Sequence, residues 1–463
     1  MDGSQPINAY LSGNFAPVHS EVDFELEVVG EIPAALHGAL YRNGPNPQFE
    51  PGSDYHWFAG DGMIHGFFLE GGKARYRNRF VRTPKYLAEH AAGRSVFGTF
   101  GNPMTTDPDY VGKDSGVANT NIVTHAGKLF ALEEGHMPTE LDPATLETRG
   151  YMTAYRGNVT AHPKIDPVTG EMAWFGYMSG PMPLNATVSY GVTGATGEVL
   201  RRDDFEAPYT SMVHDFLVTD RHVLFPILPL TGSLQRAMTG GPAFAWEPDK
   251  GSFVGVMARN AGVETMRWFN TEACYVFHPM NAWEEGDKIL ADVMEYPSAP
   301  LFPLADGGRA PRTHARLVRW TFDLAGTSDA IKREVLDDTP GEFPRFDERR
   351  AGLAYRHGWF AAQTRNPGGM KFDALAHFDT TTGARTLYDV PEGDGIGEPI
   401  FVPRSTDAAE GDGWLLAVAY LGAENNSELQ VFDALDIPAG PIGRARVPRR
   451  VPYGFHGNWM AAS

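Results

Sequence analysis

Four of the 15 histidines stand in a setting that the others lack. They are His162 in Thr160-Ala161-His162-Pro163-Lys164, His214 in Met212-Val213-His214-Asp215-Phe216, His278 in Val276-Phe277-His278-Pro279-Met280, and His456 in Gly454-Phe455-His456-Gly457-Asn458. Each lies at the edge of an apolar stretch, beside Pro, Gly or Asp, where a strand would end and turn. Neutral imidazole is the commonest protein ligand for metals. Four such rings, with no thiolate and no carboxylate among them, suit iron(II), while ligand type alone leaves copper or zinc open. An ion with only four protein ligands keeps positions for dioxygen and a substrate. The spacing is too wide for a motif carried on one helix, so such a centre exists only once the chain has folded. His19, His37, His90 and His136 neighbour Gly, Pro, Ser or charged residues and read as surface. Cys274 is the only cysteine, which excludes an internal disulfide and any thiolate cluster.

Short β-rich runs are the elements available to position these rings. They include Gly127 to Leu132, Glu171 to Tyr177, His222 to Ile227, Lys288 to Met294, Arg316 to Phe322, Trp414 to Tyr420 and Leu429 to Phe432. Each is strand-sized, and several are bounded by turn residues. Variants of one turn recur between them: Leu141-Asp142-Pro143, Asp166-Pro167-Val168-Thr169-Gly170, Asp323-Leu324-Ala325-Gly326 and Asp379-Thr380-Thr381-Thr382-Gly383. An Asp that bonds the backbone ahead of it, followed by a Gly that accepts positive φ, makes a hairpin. Candidate helices are few and short, such as Thr83 to Ala92. Repeated strand, Asp-turn, strand units fit a β-propeller better than a parallel α/β sheet. The 52 Gly and 35 Pro are spread along all 463 residues, so one domain over 1–463 is expected, with 1–25 as an extended arm. The ends of inner propeller strands face the central axis, where four histidines from different blades can converge.

Lys and Arg number 39 against 58 Asp and Glu, a formal charge of −19, which argues against a nucleic-acid partner. The one basic group, Arg446, Arg449 and Arg450, reads as solvated surface. Apolar runs never reach the roughly 18 residues that span a bilayer, and Met1 to Ser20 has no apolar signal-like core. A soluble, cytoplasmic protein is expected, with Leu228-Pro229-Leu230 as a modest apolar lip. Hydrophobic residues make up 42% of the chain with 28 Phe and 17 Tyr, enough for a large aromatic core.

Leu40-Tyr41-Arg42-Asn43-Gly44-Pro45-Asn46-Pro47, Gly60-Asp61-Gly62-Met63, Glu342-Phe343-Pro344-Arg345 and Glu398-Pro399-Ile400-Phe401-Val402-Pro403-Arg404 resemble signatures of the carotenoid cleavage oxygenases, in family order. The resemblance implies an all-β, seven-bladed β-propeller with a loop-and-helix cap over an axial Fe(II), the four histidines above falling on the ligand positions. It also implies that Glu134, Glu342 and Glu398 bond the outer nitrogens of three of the four rings, with His162 needing no carboxylate partner. Such carboxylates fix the tautomer and aim the ring. Thr120 matches a small residue beside an open iron position.

Within the family, Phe97-Gly98-Thr99-Phe100-Gly101-Asn102-Pro103, Val117-Ala118-Asn119-Thr120, Ala243-Phe244-Ala245-Trp246-Glu247-Pro248 and Asn281-Ala282-Trp283-Glu284-Glu285-Gly286 resemble the bacterial lignostilbene dioxygenases and isoeugenol oxygenases. This implies cleavage of the C=C bond of a stilbene or propenyl/vinyl phenol by O2, without added reductant, to two carbonyl products. Phe58 and Phe100 would line an apolar tunnel. That branch has Tyr at position 100 and Lys at position 133, both on the substrate's para-hydroxyl; here Phe100 and Glu133 replace them. An apocarotenoid substrate is the alternative, and a non-enzymatic propeller scaffold a remote one.

Overall fold

The computed structural model describes residues 8–462. It holds seven antiparallel sheets of four to six strands and a separate two-stranded ribbon, Leu230–Gly232 with Phe244–Trp246. Seven such sheets are the blades of a seven-bladed β-propeller. The chain forms two compact units, one of residues up to 153 with 418–430 and 443 onward, the other of 154–417 with 431–442.

In the first unit, one sheet orders Asp23–Glu25, Lys73–Phe80, Gly62–Glu70, Gly38–Pro45 and Gly457–Ala461, and a second runs from Asn121–His125 through Lys128–Leu132 and Thr139–Leu141 to Thr148–Tyr151. The second unit contains four sheets, whose inner elements include Lys164–Ile165, Leu217–Val218, Tyr275–Glu285 and Gly341–Phe346. The remaining sheet orders Glu27–Gly30, Gly443–Val447, Asn426–Asp433, Gly413–Leu421 and Gly395–Ile396. Each of the strand-sized runs read from the sequence is a strand, with ends moved by up to three residues.

The Asp turns work as the side-chain chemistry requires. Asp166 Oδ1 accepts from the Val168 and Thr169 N–H groups, and Gly170 takes φ 70° before the chain returns as Met172–Tyr177. Asp379 does the same with Thr381, Thr382 and Gly383. In the Asp142 turn no glycine is present, and Leu146 takes the positive φ of 63°. The helix Pro84–Ala92 starts where Thr83 accepts from the Tyr86 N–H and stops at left-handed Gly93, a side-chain cap and a glycine stop.

Three expectations change. Arg450 is half-buried, and its guanidinium donates to the Ala16 carbonyl at 2.9 Å, so one member of the basic group holds the N-terminal segment. That segment is not simply extended: Ala9–Leu11 and Gly13–Phe15 are 3-10 turns. Residues 1–7 of the expected arm lie outside the described residues. Leu228 and Leu230 are buried and make no surface lip. Among the described residues no helix is long and apolar enough to cross a membrane.

The segment Leu40 to Pro47 has a mechanical role in the first unit. Asn43 Nδ2 donates to the carbonyls of Ala118 at 2.9 Å and Asn121 at 2.8 Å, while its backbone N–H meets the His456 carbonyl at 2.8 Å. A Cβ at Gly44 would lie 2.7 Å from the Gly454 Cα, so only glycine lets these backbones approach. Gly44→Ala should therefore cost about 1–3 kcal/mol by overpacking and lower Tm. A thermal melt equal to that of the unaltered protein would remove this close approach from the determinants of the fold.

Candidate metal centre

His162 follows Thr160, whose hydroxyl accepts from the His162 N–H at 3.0 Å. His214 lies three residues before Leu217–Val218. His456 immediately precedes Gly457–Ala461, with its N–H on the Thr120 carbonyl at 3.1 Å. His278 sits inside Tyr275–Glu285, and not at a strand end as the sequence suggested. There the register slips on both sides of Pro279, because proline has no N–H to give the ladder, and the bulge re-aims the neighbouring side chain.

Ligand atoms of His162, His214, His278 and His456 all lie within 4.8 Å of one another, and all four residues are buried. His278 Nδ1 is 2.5 Å from Glu342 Oε2. With that nitrogen donating, the His278 Nε2 carries a lone pair, and it faces His214 Nε2 at 3.0 Å. Lone pairs turned toward a common point are what a divalent cation requires, so the donor set fits a metal.

Glu342 and its neighbours explain the Glu-Phe-Pro-Arg segment. The Phe343 N–H donates to Glu342 Oε2 at 2.6 Å, and Phe343, at φ 54°, stacks on the His278 ring at 5.3 Å. Burial pushes the Glu342 carboxyl well above the usual range, opposed by hydrogen bonds from Phe343 and Tyr296. Arg345 contacts Glu398 Oε1 at 3.3 Å, and Glu398 is buried. Glu134 is half-buried just beyond Lys128–Leu132.

Thr120 contributes through its backbone and its hydroxyl, which donates to Asn119 Oδ1 at 3.0 Å. Asn119 Nδ2 in turn donates to the Phe58 and Gly60 carbonyls. The Phe58 ring meets Phe100 at 5.3 Å and Phe455 at 5.5 Å, edge to face in both cases. An aromatic cluster thus reaches the residue before His456. Phe455 was not singled out from the sequence, although its place beside a candidate ligand was the available signal.

Glu133 is already engaged. Its Oε1 accepts from the Val117 N–H at 2.7 Å and lies 2.9 Å from His136 Nδ1. Burial raises the Glu133 pKa, but the His136 charge and hydrogen bond outweigh it and leave the carboxyl below its ordinary value. Burial lowers the His136 pKa, yet Glu133 and then Asp114 carry it up to about 9. His136, read as surface, is half-buried and stacked on Tyr151; its partner lies three residues back, too close in sequence to look like a pair.

Glu342→Gln should keep the fold and reduce metal occupancy or turnover about 10- to 100-fold, measured as metal per chain after gel filtration. Equal occupancy and rate would remove Glu342 from the support of His278. The His136 pKa is raised on folding. Its pairing therefore stabilises fully below about pH 6.5, the free imidazole value, and this contribution disappears as pH rises through about 9. His136→Ala should lower Tm clearly at pH 6.5, by about 1–3 kcal/mol of stability, and much less at pH 10. A pH-independent difference would refute the ion pair.

The Retinal pigment epithelial membrane protein family model matches residues 15–461. The chain is 39% identical to an isoeugenol monooxygenase of Pseudomonas nitroreducens, over 97% of each chain. It is 38% identical to lignostilbene-alpha,beta-dioxygenase isozyme III of Sphingomonas paucimobilis, over 99% of this chain and 98% of that one. The crystal structure of Pseudomonas brassicacearum lignostilbene dioxygenase superposes with a TM-score of 0.94 at 37% identity, covering 99% of both chains. With a family match over nearly its whole length and a buried four-histidine group, the chain belongs to the carotenoid oxygenase family and is an oxygenase with a metal-capable centre.

Proposed function

We propose that this protein is a non-haem Fe(II) dioxygenase that cleaves the C=C bond of a stilbene or of a propenyl or vinyl phenol. The observation that carries the reading is the buried four-histidine group with an aromatic cluster running up to His456. It is supported by full-length similarity to enzymes named for isoeugenol and lignostilbene. The balance is one alkene plus one O2 giving two carbonyl products, each receiving one oxygen atom, so no external reductant enters. Iron(II) on the four imidazoles would supply dioxygen binding and activation.

The chain's own residues do the rest. Glu342, Glu398 and Glu134 are assigned to hold ligand rings, with Thr120 beside the open side of the centre. Phe58 and Phe100 offer ring edges and faces to an aryl-alkene and keep water away from it, as aromatic-lined sites do. The Glu133 contacts fall on Oε1, leaving Oε2 to accept from a phenol hydroxyl. With His136 holding the carboxylate ionised, a neutral phenol would be welcome there and a phenolate repelled. A cytoplasmic setting accords with the single thiol, Cys274, being free and buried.

The test is turnover of iron-loaded protein in isotopically labelled dioxygen with stilbenes, isoeugenol, vinylguaiacol and apocarotenals. Label in both carbonyl products from an aryl-alkene is expected. Cleavage of apocarotenals alone would replace the substrate class, and no iron uptake would remove the metal reading. Glu133→Ala should lower kcat/KM for a phenol relative to its methyl ether by about 10- to 150-fold, the worth of a hydrogen bond to a charged group. An unchanged ratio would show that Glu133 does not touch the para-oxygen.

A further inference from the structure

His162 and His278 meet different carboxylates at different ranges. Glu342 lies 2.5 Å from His278 Nδ1, whereas the carboxylate facing His162 Nδ1 is Asp215, with Oδ2 at 3.7 Å. Asp215 directly follows His214, and its side chain is only 4% exposed. Its other oxygen is clamped twice: Lys164 Nζ lies 2.7 Å from Oδ1, and the Phe216 N–H donates to the same atom at 2.7 Å. Lys164 comes two residues after His162 and holds its ammonium 5.9 Å over the Phe216 ring. A residue next to one candidate ligand thus grips a residue near another, tying 160–164 to 212–216.

A buried carboxylate is costly unless paired and hydrogen-bonded. Asp215 has its cation: Lys164 and the Phe216 N–H hold Oδ1, and Oδ2 is left toward the imidazole. We propose that Asp215, clamped by Lys164, is the positioning residue for His162. The carboxylate favours the tautomer with the proton on Nδ1, which leaves the Nε2 lone pair for the cation. At 3.7 Å the contact is longer than a hydrogen bond, so the action is electrostatic. This reading departs from the expectation that His162 needs no carboxylate partner. The inference rests on the metal-centre reading above.

The experiment uses full-length protein stripped of metal and titrated with Co(II), whose visible bands report ligand geometry. Wild type should bind one Co(II) per chain. Asp215→Asn should bind about 10-fold or more weakly, with shifted bands and a metal-free Tm close to wild type. Lys164→Met should shift the bands too, and Lys164→Arg should restore them; this pair decides the matter if Asp215→Asn does not fold. Affinity and bands unchanged in Asp215→Asn, or in Lys164→Met, would overturn the role of Asp215 and leave the centre standing. Absence of stoichiometric binding by wild type would instead overturn the centre, and this inference with it.

Discussion

Bringing four imidazole nitrogens within 4.8 Å of one another in a buried place is the constraint on which the site depends. Their lone pairs repel when aimed at one point, and nothing in the rings themselves keeps them there. Each must be held from behind by its own segment. For His278 the hold is a carboxylate and a stacked phenyl ring. For His456 it is a backbone ladder through Thr120 and Asn43. Conserving the rings while loosening either support would leave the ligand types in place and lose their aim.

The segments that lead to His456 carry both polar backbone contacts and aromatic rings. Asn43 and Asn119 each satisfy two carbonyls with one amide group, pinning residues 118–121 and the turn at 58–60. Both N–H groups of each amide have an acceptor, as buried donors require, while the Asn43 Oδ1 is buried without a hydrogen bond. Phe58 packs edge to face on both Phe100 and Phe455, the last of which adjoins His456.

Much of this was legible in the chain. Strand runs and Asp turns are local, set by β-branched and aromatic content and by side-chain bonds to the next few N–H groups, so His222–Ile227 and the Asp166 and Asp379 turns could be read directly. The four histidines stood out through their shared flanks, and blade number and ligand roles came with the family resemblance. Contacts between distant segments were not legible. Arg450 on Ala16 and Lys164 on Asp215 join residues whose types are common and whose separations carry no period. The bulge at Pro279 was also hidden, because a proline beside a histidine reads equally well as a strand end.

The strand Gly457–Ala461 adds to the edge of Gly38–Pro45, one of the first strands in the chain, and His456 stands at its start. Synthesis runs from the other direction, so His162, His214 and His278 emerge from the ribosome long before the fourth ring exists. Until Gly457–Ala461 docks, the nascent protein has three imidazoles and an uncovered strand edge. Closing that edge and completing the donor set are one event, because the residue that brings the fourth ring opens the strand that docks.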